Sequence, residues 1–155
     1  MAAADLTIRE IHDADVVQVV ELWDAAGVSR PWNNPLTDIA FARHSSQSVV
    51  LVGVLGERIV ATVMVGEDGH RGWVYYLATH PDVQRQGFAR QMMSSAEVWL
   101  KTRGIWKMQL LIRADNGAAR SFYEKLGYQN TQAVCFQKVI AGDPTSGDAR
   151  DRRPA

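Results

Sequence analysis

The chain is poor in cysteine. Cys135 is the only one in 155 residues, so no internal disulfide can form and packing alone must hold the core. A charge surplus is missing too. Its 17 basic residues balance 17 acidic ones, which leaves no long-range field to gather nucleic acid. The same balance gives no support for a polyamine as partner. No apolar run is long enough to span a bilayer, so no membrane partner is expected. The start, Met1 to Asp5, lacks the basic segment and apolar core of a signal peptide. These absences together lead to the expectation of a cytoplasmic protein. Internal repeats are absent as well.

What is present suffices for a core: 46% of residues are hydrophobic and 22% are charged. The length fits a single domain, expected over residues 1–140. From Ala141 to Ala155 the residues are Gly, Pro, Asp, Arg and Ser with almost nothing apolar, so a disordered tail is expected there.

Leu6 to Arg9 alternates and predicts a short first strand. Asp13 can cap a helix in which Val16, Val20 and Trp23 recur at helical spacing beside Val19 and Leu22, with Gly27 as its stop. Pro31 and Pro35 break the pattern, and Leu36 to Ser46 predicts a second short helix. Val49 to Leu55 and Ile59 to Val65, joined at Gly56-Glu57, predict a β-hairpin. Glu67 to Gly72 is a polar turn before a strand over Trp73 to Thr79, which completes an antiparallel meander. A long helix follows from Phe88 to Arg103, with Ala89, Met92, Met93, Ala96, Trp99 and Leu100 as its apolar stripe. The two methionines read as core filler rather than a ligand box, and no metal is expected. Met108, Leu110 and Ile112 predict a strand that would pair in parallel after the crossover helix. Asp115-Asn116 starts a helix whose face carries Ala119, Phe122, Tyr123 and Leu126, and Gly127 ends it. Tyr128 to Val139, with Val134, Phe136 and Lys138 alternating, predicts a last strand.

The stretch Gln84-Arg85-Gln86-Gly87-Phe88-Ala89 lies between a strand and a helix start. Such a turn is an anion site, because unpaired N–H groups and the helix dipole favour negative charge. Gly87 lets a ligand reach the backbone and Ala89 keeps the approach narrow. A P-loop would need Lys and Ser or Thr after its last glycine, where Ala89 and Arg90 stand. A dinucleotide fold would need three spaced glycines early in a parallel chain. An ordinary strand-to-helix loop remains the plain alternative.

Two phrases decide against that plain reading. His80-Pro81-Asp82-Val83-Gln84-Arg85-Gln86-Gly87-Phe88-Ala89 holds Gln84, Gly87 and Ala89 in an Arg/Gln-x-x-Gly-x-Gly/Ala pattern. Downstream, Asn116, Ala119, Phe122, Tyr123, Gly127 and Tyr128 fill every position of Asn-x-x-Ala-x-x-Phe/Leu-Tyr-x-x-x-Gly-Phe/Tyr. In this order the two resemble the GNAT superfamily of acetyl-CoA-dependent N-acetyltransferases, over roughly Leu6 to Ile140. Residues Arg30 to Pro35 and Asp68 to Gly72 look like a small bacterial subgroup called YpeA-like.

The resemblance implies an α/β fold, α+β by some schemes. Its mixed central sheet would have six to seven strands, antiparallel in the N-terminal half. A parallel pair would be splayed around CoA, with about four helices on both faces. It implies an N-acetyltransferase that moves an acetyl group from acetyl-CoA to a primary amine of a small molecule or protein, by direct attack in an ordered ternary complex. A silent acyl-CoA sensor is the alternative. Acetyl-CoA and an amine acceptor would be the partners of a monomer or homodimer.

Backbone N–H groups of Arg85, Gln86, Gly87, Phe88, Ala89 and Arg90 would hold the pyrophosphate beside Gln84. Charge from Arg85 and Arg90 could add to this, or both could be solvated surface. Leu77, Ala78 and Thr79 would lie along the pantetheine arm, and a backbone N–H near Leu77 or Ala78 would polarise the thioester. Asn116, Ala119, Phe122 and Tyr123 would complete the donor site. Tyr123 matches the family's general acid, although its helix face also suits a core aromatic. Asn116 would meet CoA, cap a helix, or do both. Acceptor contacts are expected from Arg30, Trp32, Asn33, His70 and Tyr75, with Trp32 equally suited to capping the core. Leu111 stands where some relatives carry a glutamate base. His70, Glu67, Asp68, or a water relayed from Tyr75 or Tyr76, are left as candidates, and the base is unassigned.

Overall fold

The computed structural model describes residues 5–142. Most of the expected disordered tail, residues 143–155, lies outside the described residues. The chain divides into two compact units, one ending at Leu110 and one beginning at Leu111.

The first unit holds a five-stranded sheet in sequential order, β1 to β5. Strands β1 (Thr7–Glu10), β2 (Ser48–Leu55), β3 (Arg58–Glu67) and β4 (Gly72–Thr79) form the expected antiparallel meander. The strand β5 (Met108–Gln109) joins β4 in parallel. Between them runs α3 (Phe88–Lys101), the crossover helix.

Alternation along β2 divides the core between the two faces. Val50 and Val52 join a cluster with Val19, Leu22 and Trp23 of α1 (Val16–Ala25) and Ile39 and Ala42 of α2 (Pro35–Arg43). On the other face Gly53 lies against Met92 of α3, and Gly72 lies so close to Leu100 that any Cβ there would collide with it. Met92, Met93, Ala96 and Leu100 are buried, which is the core role their spacing predicts.

Four expectations need correction. Asp13 does not cap α1. It lies in a 3-10 turn over Asp13–Asp15, and its carboxylate takes Arg43 at 2.7 Å. Asp15 stands at the cap position of α1, but its carboxylate makes no bond to the helix; it accepts from the His12 N–H at 2.7 Å and from Arg9 at 2.6 and 3.1 Å. Second, α2 ends at Arg43 rather than Ser46. Third, β5 is two residues long rather than reaching Ile112.

Fourth, no strand forms over Tyr128 to Val139 among the described residues, so the sheet has five strands rather than six or seven. Asn130 Oδ1 accepts from the Gln132 N–H at 2.8 Å and Thr131 Oγ1 from the Ala133 N–H at 3.3 Å. Gln132 takes φ 60°. Side chains that bind their own backbone in this way compete with a β ladder. Val134 and Phe136, placed in alternation, remain exposed. The second unit retains one helix, α4 (Gly117–Lys125), close to its expected bounds.

One contact set ties α1 to the sheet. Trp23 is fully buried. Its ring stacks on Tyr76 at 3.8 Å and 8°, and its indole N–H donates to Thr62 Oγ1 at 2.8 Å. Trp23→Ala should therefore lower unfolding free energy in urea by about 3–5 kcal/mol. Trp23→Phe, which keeps most of the packing and loses the hydrogen bond, should cost about 1–2 kcal/mol. Equal losses for the two would show that packing at this position is not the main contribution.

Candidate active site

The strand β4 carries an irregularity that the sequence does not announce. Met64 pairs with Tyr75 and Thr62 pairs with Ala78, so Val63 alone opposes Tyr76 and Leu77. This is a β-bulge, and it leaves a backbone position outside the ladder. Tyr76 absorbs it with φ 52°, a left-handed conformation that costs an aromatic residue roughly 1–3 kcal/mol. The extra residue turns Tyr76 onto the α1–α2 face, where simple alternation would have sent it to the α3 face.

Groups from separate elements hold it there. Trp23 of α1 stacks on the ring. Thr62 of β3 donates its hydroxyl to the Tyr76 carbonyl at 2.9 Å. The Tyr76 phenol donates to Asp38 Oδ2 of α2 at 2.5 Å, and the Asn33 side chain hydrogen-bonds the same phenol. Burial first, and the Asp38 hydrogen bond second, raise this phenol far above the usual tyrosine range.

From Val74 onward, on both sides of the bulge, β4 is an open edge on its β5 side. Its pairing with β5 covers only Gly72 and Trp73, so Val74 to Thr79 have no strand partner on that side among the described residues. Thr79 Oγ1 is buried and has no hydrogen-bond partner. An orphaned polar atom at the end of an open edge fits a ligand that carries amides, as pantetheine does.

The chain then turns into α3. His80 donates its N–H to the Val60 carbonyl at 2.8 Å and accepts from the Asp82 N–H at Nδ1. Asp82 reaches Arg58 at 3.3 Å. Arg85 and Gly87 both have positive φ, 63° and 81°. Successive amides in such a turn form a concavity for anions. Phe88 is buried at 1% exposure and anchors the helix start, so it can offer a ligand only backbone.

Of the four helices, α2 and α4 carry a side-chain cap, while α1 and α3 do not. Asn34 caps α2 by accepting from the Thr37 N–H at 3.2 Å, and Asn116 caps α4 by accepting from the Ala119 N–H at 3.0 Å. At α3 the cap is Gly87, and no side chain caps the helix. The first intrahelical bond is Gln91 N–H to the Gly87 carbonyl. The 14-residue helix therefore presents its first-turn N–H groups outward, where an anion is favoured. Arg85 and Arg90 are exposed and enter none of the ion pairs among the described residues.

In the second unit, Ala119, Phe122 and Tyr123 share one side of α4. Tyr123 meets Phe122 and Tyr128 edge-on at 5.0 and 5.7 Å. Burial pushes its phenol up to about 12.

The acceptor-side candidates separate. Asn33 reaches Tyr76, and Tyr75 sits next to it on β4, half exposed. Trp32 is half-buried in the loop before α2. Arg30 spends its guanidinium on the Gly27 and Ser29 carbonyls of its own loop, at 2.8 and 2.9 Å. His70 lies in the turn before Gly72, at the opposite end of β4 from Thr79, roughly 20 Å of strand away. Glu67 and Asp68 build that same turn. Glu67 accepts from the Gly69 N–H, and Asp68 from the His70 and Arg71 N–H groups and Trp73 Nε1. The Arg71, Trp73 and His70 hydrogen bonds hold the Asp68 carboxyl below its ordinary range. Sequence reasoning missed Asp38, Thr62 and Trp23 as members of a site. No local pattern marks them, because the bulge that gathers them exists only in the paired sheet.

Residues 10–128 match the acetyltransferase (GNAT) family. An acetyltransferase of Yersinia enterocolitica is 37% identical over 138 residues, which span 89% of this chain and 98% of the relative. Among solved structures, an aminoglycoside N-acetyltransferase in complex with a CoA bisubstrate analogue superposes with a TM-score of 0.76. That match covers 89% of this chain and 100% of the other at 13% identity. The ribosomal-protein-S18-alanine N-acetyltransferase from Escherichia coli superposes with a TM-score of 0.69, over 79% and 76% of the two chains at 23% identity. At such identities the two structural likenesses concern the fold.

Gly87→Glu tests the anion cradle. A Cβ at Gly87 meets nothing within 4 Å, so the variant should fold, at a cost of about 1–2 kcal/mol for the left-handed backbone. Its carboxylate should abolish the calorimetric signal of acetyl-CoA. Retained affinity would show that the turn is not where the phosphates sit.

Proposed function

The chain belongs to the acetyltransferase (GNAT) family, and from that premise we propose that it moves an acetyl group from acetyl-CoA to a primary amine by direct attack in an ordered ternary complex. One observation carries the donor half of this reading. The open edge of β4 runs into the uncapped N-terminus of α3 through a turn with two left-handed residues.

The N–H groups of Arg85 to Arg90 bind the pyrophosphate, with Arg85 and Arg90 adding charge. Leu77, Ala78 and Thr79 give their backbone edge to the pantetheine amides, and Thr79 Oγ1 gains the partner it lacks. When bound, acetyl-CoA supplies a thioester carbon open to an amine. A backbone N–H beside the bulge, near Leu77 or Ala78, polarises the thioester carbonyl. The bulge leaves Leu77 outside the β3–β4 register, while Ala78 returns to it opposite Thr62.

The phenol of Tyr123, pushed up to about 12 by burial, remains protonated at neutral pH. It is a hydrogen-bond donor for the sulfur that leaves. Asn116 caps α4 and can present its remaining polar atoms to CoA. Assignment to a YpeA-like subgroup belongs to this proposal and rests on Arg30 to Pro35 and Asp68 to Gly72. The same holds for a single domain over residues 1–140.

Acetyl-CoA should bind with a dissociation constant in the micromolar range, on the order of −8 kcal/mol. An amine panel should release CoA in its presence. Binding without release from any amine would favour the silent acyl-CoA sensor. Neither binding nor release would sink both readings. Tyr123→Phe should lower kcat by about a hundredfold and leave the acetyl-CoA affinity near that of the wild type. An unchanged kcat would reduce Tyr123 to a packing residue.

A further inference from the structure

We propose that Asp38, held against Tyr76 at the β4 bulge, is an anchoring point for a second cationic group on the acceptor, so that preferred acceptors carry an ammonium besides the amine that reacts. This rests on the acetyl-transfer reading above and names the substrate class for that site.

Asp38 is a carboxylate that enters no ion pair among the described residues. Asp38 is partly buried in the first turn of α2. The ion pairs among the described residues are Arg9–Asp15, Arg43–Asp13, Arg58–Asp82 and His80–Asp82, and none includes it. The two arginines that flank Asp38 in the sequence are engaged elsewhere: Arg30 by two carbonyls of its own loop and Arg43 by Asp13. The positive end of the α2 dipole favours a negative charge in this turn. A partly buried carboxylate gains a charge-assisted bond from a cationic partner, and a bound substrate can bring one.

The phenol contact does not by itself require a charge at position 38. Orienting Tyr76 needs only an acceptor for its hydroxyl, and a neutral amide would serve. The phenol occupies Oδ2. A carboxylate has about four lone-pair sites, so capacity remains for an ammonium. Tyr75 presents a half-exposed ring beside Tyr76 on β4, and an aromatic face adds cation–π attraction. Asn33, on the loop before α2, supplies a neutral polar group at the same phenol.

Position decides which amine Asp38 holds. The reacting amine must be neutral to attack, and a carboxylate in contact with it would stabilise the charged form. Asp38 meets the far end of the Tyr76 side chain, while the thioester would meet the backbone of the bulge. One tyrosine side chain separates the two points. That spacing suits an acceptor whose second ammonium rests on Asp38 while its neutral amine lies at β4. The balanced charge of the whole chain conceals this, because the selectivity comes from a single carboxylate.

Asp38→Asn is the informative variant, since the amide oxygen still accepts from Tyr76 while the charge is removed. Calorimetry with acetyl-CoA checks that the fold and donor site persist. The measurement is kcat/KM for cadaverine and for hexylamine, in which a methyl replaces the second ammonium. A parallel pair of short peptides bears Lys or Gln beside a free N-terminal amine. The wild type should favour the dicationic member of the accepted pair, and Asp38→Asn should shrink that preference roughly tenfold or more, chiefly through KM. Added salt should weaken the wild-type preference and leave the variant's nearly flat. A preference unchanged in Asp38→Asn, or acceptors found only among amines with no second cation, would overturn the proposal. Acetyl-CoA binding with no CoA released from any amine would instead overturn the acetyl-transfer reading on which it stands.

Discussion

A tyrosine forced into left-handed backbone conformation in mid-strand needs external support, and much of the first unit supplies it to Tyr76. The ring lies flat on Trp23. Its carbonyl accepts from Thr62, whose hydroxyl also accepts from the Trp23 indole. Its phenol donates to Asp38. Contacts from α1, β3 and α2 thus converge on one residue of β4. Each is modest alone, about 1 kcal/mol for a neutral hydrogen bond, but together they offset the local strain. Core and candidate site share these side chains, so substitutions at Trp23 or Thr62 bear on both.

The bulge also explains how one strand can serve two tasks. Before it, β4 pairs regularly with β3, and briefly with β5. From Val74 onward its β5 side is unpaired among the described residues, and the strand leads to the exposed start of α3. Close packing of α3 fixes that helix start: Phe88 is buried, Met92 lies against Gly53, and Leu100 lies against Gly72. An anion cradle is precise only when the elements that carry it are rigid. Here the first-turn N–H groups stand on a helix locked to the sheet along its length.

Much of the architecture was legible in residue spacing. Val50 and Val52 against Leu51 and Gly53 reveal a strand between two packed faces, and Met92, Met93, Ala96 and Leu100 reveal a buried helix stripe. Glycines such as Gly27, Gly104 and Gly127 mark helix ends through positive φ. Pairing was less legible, because it depends on partners distant in the chain. Val134, Phe136 and Lys138 alternate like a strand, yet Asn130 and Thr131 divert the backbone into local turns. The acid-bearing turn at Glu67 and Asp68 suggested chemistry, but those carboxylates bind neighbouring N–H groups and build the turn itself.

The sequence by itself determined the family, the order of elements and the helix that offers its N-terminus, because each depends on residues close in the chain. Gln84, Gly87 and Ala89 lie within six positions of one another, and Asn116 to Tyr128 span one helix, its caps and the two residues after it. Tertiary structure alone decided that Tyr76 leaves its expected face, that β5 stops after two residues, and that Asp38 meets a phenol 38 positions away. A bulge is a mismatch between two strands. No stretch of either strand encodes it alone, and a carboxylate brought to it by a separate helix becomes visible only after the sheet has formed.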